Sequence, residues 1–258
     1  MKDLSVRALT GIIGLLLLVF IVSRGKLYLS ISIFIISIIG LWEFYRALNN
    51  IDIRPINYIG YLGSVGIFLI NIFPNVSIGL VFYVVTAFLL ISLLLNRNVK
   101  IMDIATTLLG IIYIPFSLFY IYKLDGTIYI WLVFLIAFGT DTFAYIVGNL
   151  MGKNKLCPNI SPNKTREGSL GGILGSLVIT LIFGFFTDAD SLWKLVILSI
   201  LASIISQTGD LIASRIKRLA EIKDYGFIMP GHGGILDRFD SIIFSAPLIY
   251  YYVEYFLI

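Results

Sequence analysis

Charge is scarce in this chain: aspartate, glutamate, lysine and arginine make up 13% of its 258 residues, against roughly 25% in ordinary soluble domains. With 59% hydrophobic residues and a mean hydropathy of +0.97, that shortage excludes a soluble globular protein and implies an integral membrane protein. At about 20 residues per transmembrane helix, the length accommodates roughly eight to ten spans and no separate soluble domain. Cysteine is nearly absent as well. Cys157 stands alone, which excludes an internal disulfide. His232 is the single histidine, so a His/Cys zinc cage is excluded and any metal must be held by oxygen. Low-complexity tracts, proline-rich linkers and internal repeats are also missing. Without two similar halves and interrupted helices, the sequence argues against an alternating-access transporter.

What is present is a series of apolar runs, at about 8–23, 27–46, 57–73, 77–95, 104–122, 127–149, 169–187, 192–213 and 241–258. They predict an all-α polytopic membrane helix bundle of about nine transmembrane helices. The shortness of the third run and Glu254 in the last leave eight or ten open. The first run follows Lys2 and Arg7 like a signal peptide but lacks a small-residue cleavage site, so it reads as a retained helix. Of the 19 lysines and arginines, 15 fall on the N-terminal side of this arrangement; Arg24, Lys26, Lys123 and Lys194 fall opposite. The positive-inside rule then predicts a cytoplasmic N-terminus and cytoplasmic even-numbered connections. The two longest connections, about 150–168 and 214–240, are among these, so a polar intramembrane cavity would face the cytoplasm. Residues 1–130 read as N-terminal transmembrane helices and 131–258 as a catalytic transmembrane region of the same membrane unit.

Polar residues interrupt the helices at three places. Asp141, in Gly139-Thr140-Asp141-Thr142-Phe143-Ala144-Tyr145, lies well inside an apolar run with Tyr145 one turn on. An unpaired carboxylate there costs roughly 2.5–3.5 kcal/mol on the insertion scale, so intramembrane acids are functional by default; an interhelical hydrogen-bond clamp is the plainer alternative. On the eighth run Ser203, Gln207, Asp210, Ser214 and Lys217 fall within about 80° of one another at 100° per residue. Serine and glutamine packing explains much of that stripe but not Asp210. The third place is Ser161-Pro162-Asn163-Lys164-Thr165-Arg166-Glu167-Gly168, basic and hydroxylated just before a helix start, which predicts an anion seat. Alternatively, cytoplasmic loops are basic anyway, and Gly168, Gly171, Gly172 and Gly175 let helices approach.

The densest charge lies in Ser214-Arg215-Ile216-Lys217-Arg218, Lys223-Asp224 and Pro230-Gly231-His232-Gly233-Gly234-Ile235-Leu236-Asp237-Arg238-Phe239-Asp240. Carboxylates for a hard cation and cations for phosphate occur here together, beside glycines that let backbone approach phosphates. Mg²⁺ takes a few carboxylates plus phosphate oxygens, which makes Asp210 and Asp237 the expected ligands and Asp240 a further candidate. His232 fits a phosphate hydrogen bond or a turn better than acid–base work.

This stretch of 27 residues resembles the signature of the phosphatidate cytidylyltransferases (CDP-diacylglycerol synthases): S-x-hydrophobic-K-R, four residues, K-D, then a proline and H-G-G-x-x-D-R-x-D. Asp141 to Tyr145, Ser161-Pro162-x-Lys164-Thr165-x-Glu167-Gly168 and Gln207-x-Gly209-Asp210 match in the family's order. The likeness spans about Gly139 to the end, while residues 1 to about 130 read as helices only. Met229 departs from the family's leucine, isoleucine or phenylalanine, and Arg166 from its common tryptophan. The resemblance implies Mg²⁺-dependent conversion of CTP and phosphatidic acid to CDP-diacylglycerol and pyrophosphate in phospholipid synthesis at the bacterial plasma membrane, with a second cation such as K⁺. It implies catalytic roles for Asp210, Asp237, Lys217 and Arg238. Substrate binding would fall to Lys164, Arg166, Gln207, Ser214, Arg218, Lys223, His232, Asp141 and Tyr145. CTP, phosphatidic acid and membrane lipid are the expected partners, and nucleic acid is not. Tyr250, Tyr251, Tyr252 and Tyr255 fit a homodimer contact and an interfacial aromatic belt equally well. A CTP-dependent polyprenol or dolichol kinase and an ion transporter are the rival readings, and neither accounts for the ordered C-terminal motif. A CDP-alcohol phosphatidyltransferase lacks its D-G-x-x-A-R motif here.

Overall fold

The computed structural model describes residues 2–73, 75–187, 191–229 and 233–258, with side chains from Leu9 onward. Among these residues ten α-helices follow in chain order: α1 (Lys2–Arg24), α2 (Lys26–Asn49), α3 (Asn57–Ile72), α4 (Ile78–Leu95), α5 (Ile101–Ile111), α6 (Ser117–Lys123), α7 (Ile130–Met151), α8 (Arg166–Phe186), α9 (Leu192–Leu219) and α10 (Leu236–Phe256). Among the described residues six segments are long and apolar enough to cross a membrane, namely α2, α4, the stretch Ile101–Lys123, α7, α8 and α9. Leu9–Arg24 and α3 are shorter apolar helices. Large side chains such as Leu16, Leu94, Leu95 and Phe186 point outward, an arrangement that suits lipid rather than water. The all-α membrane bundle read from hydropathy is therefore the observed fold.

Two local features depart from the hydropathy reading. The run expected as one helix over 104–122 is broken by a π-helical turn, Ile112–Phe116, between α5 and α6. Pro115 lies inside it; proline has no N–H to donate and its ring clashes with the carbonyl one turn back, so the register widens. Ser117 Oγ donates to Ile112 O at 3.1 Å, satisfying a carbonyl in the widened turn. The expected anion-binding loop is a hairpin: β1 (Lys155–Cys157) pairs antiparallel with β2 (Ser161–Thr165). Thr165 then caps α8, accepting from Gly168 N at 3.0 Å.

The chain forms two compact units, Met1–Asp125 with Lys217–Arg238, and Gly126–Ile216 with Phe239–Ile258. In the first, Tyr45 on α2 is fully buried, its ring against Gly60 of α3 and Gly110 of α5, where any Cβ would collide with it. Its hydroxyl donates to Thr107 O at 2.8 Å. The α2–α3 connection is tied to α5 by Arg54 N donating to Asp103 Oδ1 at 2.8 Å and Ile56 N to Thr107 Oγ1 at 2.7 Å. An apolar cluster including Ile59, Ile67, Val85, Leu89 and Ile111 fills the space beside them.

In the second unit α7 and α8 lie close along a glycine face. A Cβ at Gly171 would strike Val147, and one at Gly175 would strike the Phe143 ring. Gly172 meets Thr140 O and Gly168 meets Ala144 O in the same way. The close-packing alternative for these glycines is thus what the fold uses.

Candidate active site

The first unit contains the Lys217–Arg238 part of the C-terminal motif. Asp237, in the first turn of α10, is 7% exposed. Its Oδ2 accepts from two backbone amides, Tyr225 N at 2.8 Å and Gly234 N at 2.9 Å. Its Oδ1 accepts from Lys217 Nζ at 2.7 Å. Lys217 Nζ also lies 5.4 Å from the ring centre of buried Tyr225, a cation–π contact. Gly233 adopts φ +88°, a left-handed conformation natural to glycine, and its carbonyl accepts from Met229 N at 3.0 Å. The carboxylate is therefore the organiser of the backbone that surrounds it, as well as an ion-pair partner.

The same backbone is held from α2, which the sequence reading treated as a helix without a role. Glu43 is 0% exposed. Its Oε1 accepts from Ile235 N at 3.1 Å and its Oε2 from Leu236 N at 2.7 Å. A Cβ at either Gly226 or Gly234 would run into the Glu43 carboxylate, so these two glycines make room for it. Arg46, one turn on, donates from Nη2 to Tyr225 O at 2.7 Å, with its guanidinium stacked 4.5 Å from the Trp42 ring centre. A signal was available in the sequence, since Glu43 is an acid within an apolar run, the criterion that singled out Asp141.

The second unit gathers the α9 stripe. Asp210, its side chain 26% exposed, forms an ion pair with Lys164 of β2. Ser214 Oγ donates to Asp210 Oδ1 at 3.4 Å. Gln207 Nε2 donates to Ser169 O of α8 at 3.2 Å, and Ser203 Oγ accepts from Thr140 Oγ1 of α7 at 2.8 Å. Every member of the stripe within this unit thus has a partner, Lys164 being that of Asp210. Asp141 accepts from Ser241 Oγ at 3.4 Å, and buried Asp240 accepts at Oδ1 from Ser241 N at 2.8 Å. Gly209 permits α9 to approach Asp240 O and Phe244.

The remaining expected residues are more dispersed. Arg166, Arg218, Lys223 and Arg238 are exposed, and so is Tyr145 at 71%. His232 lies outside the described residues. Among the described residues no three of His, Cys, Asp and Glu come together as a metal-holding group. Asp210 and Asp237 are nonetheless hard oxygen donors, each already facing a lysine ammonium. That donor chemistry fits Mg²⁺, which takes few protein ligands when phosphate oxygens supply others.

Each unit thus carries a carboxylate–lysine pair on an apolar helix: buried Asp237 with Lys217 beside an amide-rich glycine turn in the first, half-buried Asp210 with Lys164 in the second. A sequence model of the cytidylyltransferase family matches residues 5–256, and the chain belongs to that family. Phosphatidate cytidylyltransferases from Staphylococcus haemolyticus, Staphylococcus saprophyticus and Staphylococcus aureus are 40%, 39% and 39% identical to it. Each alignment runs over 256 residues, covering 95% of this chain and 97% of the relative. The likeness therefore extends through the N-terminal helices, beyond the Gly139-to-end stretch that carried the resemblance in sequence.

Proposed function

We propose that this chain is a phosphatidate cytidylyltransferase, converting CTP and phosphatidic acid to CDP-diacylglycerol and pyrophosphate. The observation that carries this reading is the 39–40% identity to proteins of that name over 95% of the chain. In the reaction a phosphate oxygen of phosphatidic acid attacks the α-phosphorus of CTP. The bond from that phosphorus to the bridging oxygen breaks, and pyrophosphate leaves with its electron pair. A nucleophile that is anionic at neutral pH needs no general base, which suits a chain with one histidine.

The work left to the protein is positioning and charge neutralisation. Lys217, Lys164, Arg238, Arg218 and Lys223 offset substrate phosphate charge; Ser214 and Gln207 add hydrogen bonds, with Arg166, Asp141, Tyr145 and His232 as further contacts. Asp210 and Asp237 are assigned as Mg²⁺ ligands, with Asp240 as an additional one. Bound Mg²⁺ would withdraw charge from the triphosphate oxygens and orient them. For either acid to take a metal, its lysine must turn away, and that lysine is then available to substrate phosphate. K⁺ is proposed as a second cation and a homodimer as the assembly. In the bacterial plasma membrane nine spans, the N-terminus and a polar cavity open to the cytoplasm follow from the lysine and arginine distribution.

The deciding assay supplies purified protein with labelled CTP, phosphatidic acid and Mg²⁺. Formation of labelled CDP-diacylglycerol supports the reading; transfer of the terminal phosphate to a polyprenol instead would assign the kinase. Cysteine labelling at position 164 but not 123 from the cytoplasmic side tests the orientation.

A further inference from the structure

We propose that Glu43 is a positioning residue for this reaction, holding the backbone that presents Asp237 while touching no substrate itself; this rests on the activity proposed above. Four backbone amides around Asp237, the consecutive Gly234, Ile235 and Leu236 and the more distant Tyr225, are divided between two carboxylates. Tyr225 N and Gly234 N go to Asp237 itself, and Ile235 N and Leu236 N go to Glu43. Leu236 immediately precedes Asp237, so the Glu43 bond to its amide fixes the peptide from which Asp237 projects. Arg46 takes the carbonyl of Tyr225, whose amide is bound to Asp237. Helix α2 therefore grips two backbone segments ahead of Asp237, at Tyr225 through Arg46 and at Ile235–Leu236 through Glu43, from side chains three residues apart on one helical face.

The chemistry of the grip demands a carboxylate. Two N–H donors point at two separate oxygens, and the site is fully buried between Gly226 and Gly234. Glutamine offers one acceptor oxygen and sets its NH₂ against the remaining N–H, leaving a buried donor unpaired. Aspartate, one methylene shorter, keeps the charge but does not span both amides. An apolar residue of equal size would leave both amides orphaned. If the role of Glu43 were only to close a buried contact, its loss would lower stability and leave turnover per folded molecule alone.

The test compares wild type and Glu43→Gln, with folded protein isolated by size exclusion. The readouts are kcat, KM for CTP, the Mg²⁺ concentration for half-maximal rate, and metal-free hydrogen exchange of the 225–237 segment. For Glu43→Gln we expect kcat or Mg²⁺ affinity to fall by about 10–100-fold, the range seen when groups supporting a metal ligand are changed. Exchange across 225–237 should rise, with α7 and α8 unchanged. Wild-type turnover and wild-type Mg²⁺ response in folded Glu43→Gln, with only a lower melting temperature, would overturn the proposal. Should that variant not fold, Glu43→Asp is judged by the same readouts. Absence of CDP-diacylglycerol formation by wild type would sink the activity instead, and the exchange measurement would then decide whether Glu43 holds the turn.

Discussion

The two acids proposed as Mg²⁺ ligands are built into their surroundings in different ways. Asp237 is 7% exposed and bound by two backbone amides and a lysine, and its turn is braced by a second buried carboxylate. Asp210 has a side chain 26% exposed and relies on other side chains, Lys164 and Ser214. A backbone-built site holds its geometry without ligand and tolerates little change. A site built from side chains on a helix face can rearrange, and each contact in it is worth less. The contrast separates what substitutions should do to rate from what they should do to stability.

Asp237→Asn should have the largest effect. It leaves Lys217, whose side chain is 12% exposed, beside a neutral amide; breaking such a buried pair costs about 3–5 kcal/mol. Turnover should fall by roughly 10³-fold, as when a charge-stabilising group is lost, and the melting temperature in detergent should fall with it. Asp210→Asn should lower turnover by roughly 10²-fold or more while costing about 1 kcal/mol or less in stability, as for exposed pairs. Equal losses of melting temperature in the two variants would erase the distinction. Gly234→Ala drives a methyl group into the Glu43 carboxylate and should destabilise by about 1–3 kcal/mol, the cost of overpacking; thermal melting checks it. Gln207→Ala removes one hydrogen bond to Ser169 O and should cost about 1 kcal/mol, with the smallest change in CDP-diacylglycerol formation of the four.

Much of the α9 stripe was legible because helical periodicity is geometric: Ser203, Gln207, Asp210 and Ser214 share a face, and each has a partner on that account. The 214–240 motif was legible because charge against an apolar background is conspicuous. Glu43 was not read, since one acid and one arginine at the end of an apolar helix look like an interfacial boundary until their distant partners are known. The glycines of α8 were ambiguous between anion binding and packing, and only the neighbouring Val147 and Phe143 side chains decide it. The hairpin before α8 and the π-turn at Pro115 depend on pairing and on where a freed carbonyl finds a donor, neither of which hydropathy reports.

The Glu43 clamp also has a history within each molecule's synthesis. Its two hydrogen bonds join residues 192 and 193 positions apart. At roughly 5–20 residues per second, the amides emerge about 10–40 s after the acid. During that interval the Glu43 carboxylate on α2 lacks its final partners, and an acid without a partner on an apolar helix is costly. Helix α2 would thus wait for the last part of the chain to be made, and arrival of the motif would complete a segment translated long before it.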